Sequence, residues 1–306
     1  MKRSNVKSFF QQFGNALRLL LRNDPLRLAG ATAFFATFAL PFILIILIQI
    51  FSFLFDQPTI SRQLFYKLSD IVGVDSATQV GVIIGGFRRL VHEWWAVLGG
   101  SVFMLFVATT LFKVIKNSFN QLWMIHITSK KALPATMMGR LRSLLIILFT
   151  AFLFIAGVAA ESMRVQFSVY ITEFFPTHGA LLNSATSIML SVIMAMIWFA
   201  MLFRYISEGT PAWKVTFMSA FITSALFTFG KYLLKWLLID SNISHIFGDA
   251  GAFVLLLLFI FYSSLIVYYG AAFTKVWGIF INEPMELSSY ASLFKYQKVE
   301  ETESKM

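Results

Sequence analysis

Lys231 and Lys235 stand four residues apart in a stretch that is otherwise apolar. On a helix they share a face, and like charges that close repel unless an anion or a carboxylate lies between them. Glu161, Asp240 and Asp249 are candidate partners, and Arg164 is placed to join the same basic group. The chemistry on offer is capture of an anionic substrate or lipid headgroup. The pair also reads, more simply, as two side chains snorkelling to an interface beside Tyr232 and Trp236. A second set follows at helical spacing: Lys113, Lys116, Asn117, Asn120 and Trp123, with Arg140 and Arg142 downstream. Amide donors beside cations suit a phosphate-bearing lipid, although the same residues satisfy topology with no ligand. Arg204 is a further candidate for holding an anion.

Bond-making chemistry has no such foothold. His92, His126, His178 and His245 are not spaced as metal ligands, and none lies beside a carboxylate cluster. There is no cysteine, which removes disulfides and thiol nucleophiles together. No phosphate-cradling glycine loop and no nucleophile elbow occurs. The expectation is a protein that is not an enzyme and carries no metal or cofactor.

Six long apolar stretches must position these groups. The first runs from Leu28 to Phe55, 28 residues without a charge. As a helix that is ~42 Å, against a hydrocarbon core of ~30 Å. The others cover about 94–112, 143–160, 181–203, 215–235 and 250–274. Hydrophobic residues are 58% of the 306 and charged residues 13%, roughly half the charge of a soluble chain. The spacing predicts an all-α polytopic membrane protein of six transmembrane helices, with residues 1–281 as one membrane domain and 282–306 as a polar, mobile cytoplasmic tail.

Six spans place both termini on one side. The N-terminal segment holds six Lys and Arg, the Lys113–Arg142 loop six, the Arg204–Lys214 loop two and the C-terminal part four, against seven on the other side. The positive-inside rule puts both ends in the cytoplasm. The net charge of +10 is thereby assigned to topology and anionic lipid rather than to nucleic acid. The first apolar stretch exceeds a signal-peptide core and is expected to stay as an anchored helix.

Outside the spans, Val6, Phe9, Phe10, Phe13, Leu17 and Leu20 share one helical face. That fits either an interfacial helix or one packed beneath the bundle. The external loop Asp56–Glu93 reads as two amphipathic helices separated at Gly73 and Asp75-Ser76, with Gly85-Gly86 breaking the second. Within the first span, Gln49 is a polar group and Pro41 predicts a kink, because proline removes a backbone donor.

Several short motifs then line up in order. Asp24 precedes a span carrying Ala31, Phe34-Phe35 and Leu40-Pro41. Asn120-Gln121-Leu122-Trp123 follows the second span. Phe203-Arg204-Tyr205 leads to Pro211-Ala212-Trp213-Lys214, and Phe247-Gly248 precedes a last span closing in Gly270-Ala271-Ala272-Phe273. This set resembles the YihY/virulence factor BrkB family of bacterial inner-membrane proteins. It departs from the family where Ala272 replaces a common acid and Phe247 a common tyrosine. The resemblance implies an inner-membrane protein, and members have also carried a transfer-RNA-processing ribonuclease label. The Lys113–Arg142 loop has no carboxylate to support such chemistry.

The expected function is transport or handling of an envelope component such as an anionic lipid. Lys231, Lys235, Arg164 and Arg204 would hold the anion, with Glu161 as a partner. Asn120, Arg140 and Arg142 would serve at the cytoplasmic end, and Pro41 would supply the bend. The competing class is a scaffold acting through residues 56–93. Membrane lipids are the expected partners; protein partners and homo-oligomerisation are left open.

Overall fold

The computed structural model describes residues 3–51, 57–90, 94–127, 149, 152–153, 155–157, 159–168, 170–174, 178–234, 251–288 and 291–294. Lys235, Arg140, Arg142, Asp240 and Asp249 lie outside them, as does the side chain of Gln49. The chain is mostly helical. Its helices are α1 (Arg3–Leu21), α2 (Pro25–Phe51), α3 (Gln57–Val72), α4 (Val74–Leu90) and α5 (Trp94–Trp123). Residues 152–174 are helical wherever described and form α6. After them come α7 (Gly179–Tyr205), α8 (Trp213–Leu234) and α9 (Gly251–Phe280).

Among the described residues, four segments are long and apolar enough to cross a membrane: Pro25–Ile45 of α2, α7, α8, and Phe253–Phe280 of α9. Their outward faces carry Phe34, Phe38, Leu181, Met189, Phe221 and Phe229, all exposed. Lipid solvates such a surface and water does not.

α9 is the hub, packing on α1, α2, α4, α5 and α8. Its seam with α8 shows why these residues pack so closely. Thr216, Ser219, Ala220, Thr223 and Ser224 of α8 are fully buried, and each hydroxyl bonds a carbonyl within its own helix or just before it. Opposite Thr223 lies Gly270 of α9, flanked by the fully buried Ala271, Ala272 and Thr274. Between spans there is no water to expel, so small residues gain by letting backbones approach and dispersion act.

α1 lies against the far end of α9, with Phe9 on Trp277 (5.5 Å between rings) and Phe13 on Phe273 (5.1 Å). The ends of α5 and α7 and the start of α8 gather at this same end of the bundle. α3 and α4 meet at Gly73, whose φ of 86° a side chain would disfavour. They pack near the other end, where Val80 and Leu256 are buried and the half-buried Leu40, Leu44 and Leu68 pack against them.

Three expectations need correction. Gly85-Gly86 does not break α4, which continues to Leu90; glycine costs a helix only ~1 kcal/mol, and Val80 and Ile84 pack the helix against the bundle just before the pair. Asp75 belongs to the first turn of α4 rather than to the linker, where its charge favours the helix dipole. The segment after Asn282 is not all free tail. Glu286–Leu287 (β3) pairs with Gly209–Thr210 (β2), and Ala291–Leu293 (β4) pairs with Ile125–Ile127 (β1), so two short antiparallel pairs join the all-α bundle. α2 itself passes unbroken through Pro41, which is buried.

Candidate functional site

The polar groups of this end converge on the last two turns of α5. Lys116 donates to Glu208 Oε1 across 92 residues of sequence. Glu208 is 2% exposed, so its charge has left water and needs compensation. Ser288 supplies a further donor, with Oγ 3.1 Å from Glu208 Oε2, and its backbone N–H donates to the Glu208 carbonyl at 3.1 Å. The ion pair thus ties α5, the α7–α8 connection and the C-terminal strands into one unit.

One turn on, Asn120 is also buried. Ser207 Oγ donates to its Oδ1 at 2.7 Å, while Gly209 N–H donates to Ser207 Oγ at 3.4 Å. Ser207 Oγ thus accepts from the backbone of its own turn and donates to α5, with the Asn120 amide oxygen turned toward it. Gly209 allows this close approach: a Cβ there would stand 2.7 Å from Ile125 Cδ1 and 3.1 Å from the Trp123 ring, so one of them would have to shift.

Trp123, fully buried, donates from Nε1 to the Ala271 carbonyl of α9 at 2.8 Å. Lys275 returns the link, its Nζ 2.6 Å from the Trp123 carbonyl at the C-terminus of α5, where a cation is favoured. Gln121 reaches Asn23 at 3.5 Å and accepts from Arg27 at 3.3 Å. Beside these bonds lies a shallow cleft of about 340 Å³ lined by Asn117, Asn120, Gln121, Ile125, His126 and Phe294. Asn120 Nδ2 has no partner among the described residues. Lys113, one turn before Asn117, is exposed.

The residues expected to bind anions fall in separate places. Arg164 pairs with Glu161 at 2.7 Å on its own helix and reaches the Asn183 carbonyl of α7 at 3.5 Å. Arg204 donates to the Pro211 carbonyl and lies 4.4 Å over the Trp213 ring, which fixes the turn into α8. Lys231 sits 5.1 Å over the Tyr232 ring. Lys116 and Trp123, expected at a lipid site, are instead engaged inside the protein. Glu208, Ser207 and Ser288 were missed by sequence reasoning. The available signal was that Glu208 is the sole acid between Arg204 and Lys214.

Long apolar helices with lipid-compatible outer faces, closed at one end by a buried polar clamp, define a multi-pass integral membrane protein. Motifs scattered along the chain meet in that clamp, where Asn120, Trp123 and Ala271 take part, while Arg204 and Pro211 secure the adjoining turn into α8. The chain belongs to the Virulence factor BrkB family, whose model matches residues 16–279. Neither a curated protein nor a solved structure matches it.

Proposed function

We propose that the chain is a six-span protein of the bacterial inner membrane, with both termini cytoplasmic, that binds and handles an anionic lipid headgroup at the cleft beside Asn120. The observation that carries this reading is Asn120 itself. It is 6% exposed, bonded through its amide oxygen to Ser207, and lines a cleft with two more amides and His126, its own Nδ2 having no partner among the described residues. Phosphate oxygens suit such donors, and Lys113 adds charge beside them. Enzymatic action has little support. The buried carboxylate of this region, Glu208, is committed to Lys116 and Ser288.

The span count is supported by α5, whose 30 residues include the uncharged run Trp94–Phe112. It is supported also by α6, which packs on α7 through Gly157 and Met194. The chain's lack of cysteine makes the topology easy to test. In intact cells stripped of outer membrane, an impermeant maleimide should label Val82→Cys, with Leu293→Cys reacting only after permeabilisation. The reverse pattern would overturn the orientation.

The headgroup site is tested by Asn120→Asp, which preserves shape and the acceptor for Ser207 but replaces the donor with an anion. Retention of anionic phospholipid through gentle extraction, read by native mass spectrometry, should fall about tenfold, while neutral lipid is unaffected. A loss caused by Lys231→Gln with Lys235→Gln, and not by Asn120→Asp, would move the site to the other end of the bundle. A second reading, a scaffold acting through α3 and α4, draws on the exposure of Tyr66, Val74 and Val82 at 63%, 62% and 62%.

A further inference from the structure

We propose that α1 lies in the headgroup layer of an anionic leaflet, one side seated on the bundle and the adjoining side in lipid. α1 has three sectors rather than two. Phe13, Ala16 and Leu20 face α9, with Phe9 against Trp277. About a quarter-turn around the helix, Phe10, Leu17 and Leu21 form a second apolar stripe, exposed at 65%, 47% and 61%. Beyond it, Gln11, Arg18 and Arg22 make an exposed polar sector.

Protein, apolar and cationic sectors in that rotational order fit a helix lying flat at a lipid boundary against a bundle. Exposed apolar residues also follow α1 in the chain. Leu26, Phe34 and Phe38 of α2, which follows in a segment able to span the membrane, are exposed as well. Arg27 is exposed near the junction; its carboxylate neighbour Asp24, at 3.8 Å, is the one acid between Arg3 and Leu28. Arg18, Arg22 and Arg27 therefore leave a net positive rim where the stripe meets water, which complements acidic phospholipid. This inference needs only the membrane assignment and is independent of the cleft.

The test uses the full chain in phosphatidylcholine bilayers with or without phosphatidylglycerol. Nitroxides are placed singly at Leu17→Cys, Leu21→Cys and Gln11→Cys, all exposed positions. With phosphatidylglycerol present, positions 17 and 21 should collide with oxygen more than with a nickel chelate, and position 11 should show the opposite. Omitting phosphatidylglycerol, or combining Arg18→Gln with Arg22→Gln, should lower the oxygen-to-nickel ratio at position 17 by at least about twofold. Free access of nickel to position 17 would mean the stripe faces water and would overturn the proposal. Exclusion of both reagents would overturn it too, by showing a second copy or another protein covering the stripe. A ratio indifferent to phosphatidylglycerol would refute the anionic preference.

Discussion

Glu208→Leu is expected to lower the stability of the detergent-solubilised protein by about 3 kcal/mol, the low end for breaking a buried ion pair because Lys116 keeps partial access to water. The carboxylate is almost fully enclosed, so its removal leaves the lysine without a counter-ion and Ser288 Oγ without one of its acceptors. The loss should appear as a lower midpoint in thermal unfolding followed by tryptophan fluorescence, since Trp123 lies in the same clamp. The control that separates charge from packing is Lys116→Met combined with Glu208→Leu. Removing both charges should restore most of the stability, because a buried pair and an apolar replacement of similar volume are often near balance. A double variant as unstable as Glu208→Leu alone would show that the pair is not the source of the loss.

Gly270→Val should be more disruptive still. A Cβ at this position would lie 2.1 Å from Thr223 Oγ1 and 2.7 Å from Phe203 Cζ. Thr223 and Phe203 are both fully buried, so neither can swing aside into lipid. The helices α7, α8 and α9 must separate, at a cost of about 3 kcal/mol or more for overpacking. Because small-residue packing is the main attraction between spans, the separation also forfeits dispersion along the α8–α9 seam. The measurement is the yield of monodisperse protein together with its unfolding midpoint. Gly270→Ala should be milder but clearly destabilised, and Thr223→Ala should rescue it in part by removing the Oγ1 contact. Wild-type behaviour of Gly270→Val would mean that the seam is looser than these distances require.

Much of the architecture was legible along the chain. Charge-free runs such as Leu28–Phe55 announce themselves, and α2, α7, α8 and α9 fall where the runs predict. Gly73 was legible as a break because it is flanked by apolar repeats on either side. Gly85-Gly86 was misread for a related reason: glycine weakens a helix only slightly, and the sequence does not reveal the packing that outweighs it. The polar site was less legible. Helical spacing placed Asn120 correctly beside Lys116 and Trp123, yet assigned all three to a ligand. Two of them serve the interior, through Glu208 and Ala271.

What the sequence determined by itself was the solvent of this protein. The preference of a helix for hydrocarbon sums over its own residues, needs no partner, and can be read from any run of sufficient length. Which polar side chains become a clamp, and which keep an unspent donor, was decided only by the tertiary structure. Lys116 meets Glu208 and Asn120 meets Ser207 because separate helices end at the same level of the bundle. A hydrogen bond depends on two groups arriving within about 3 Å of each other, and neither group's local sequence specifies where the other will be.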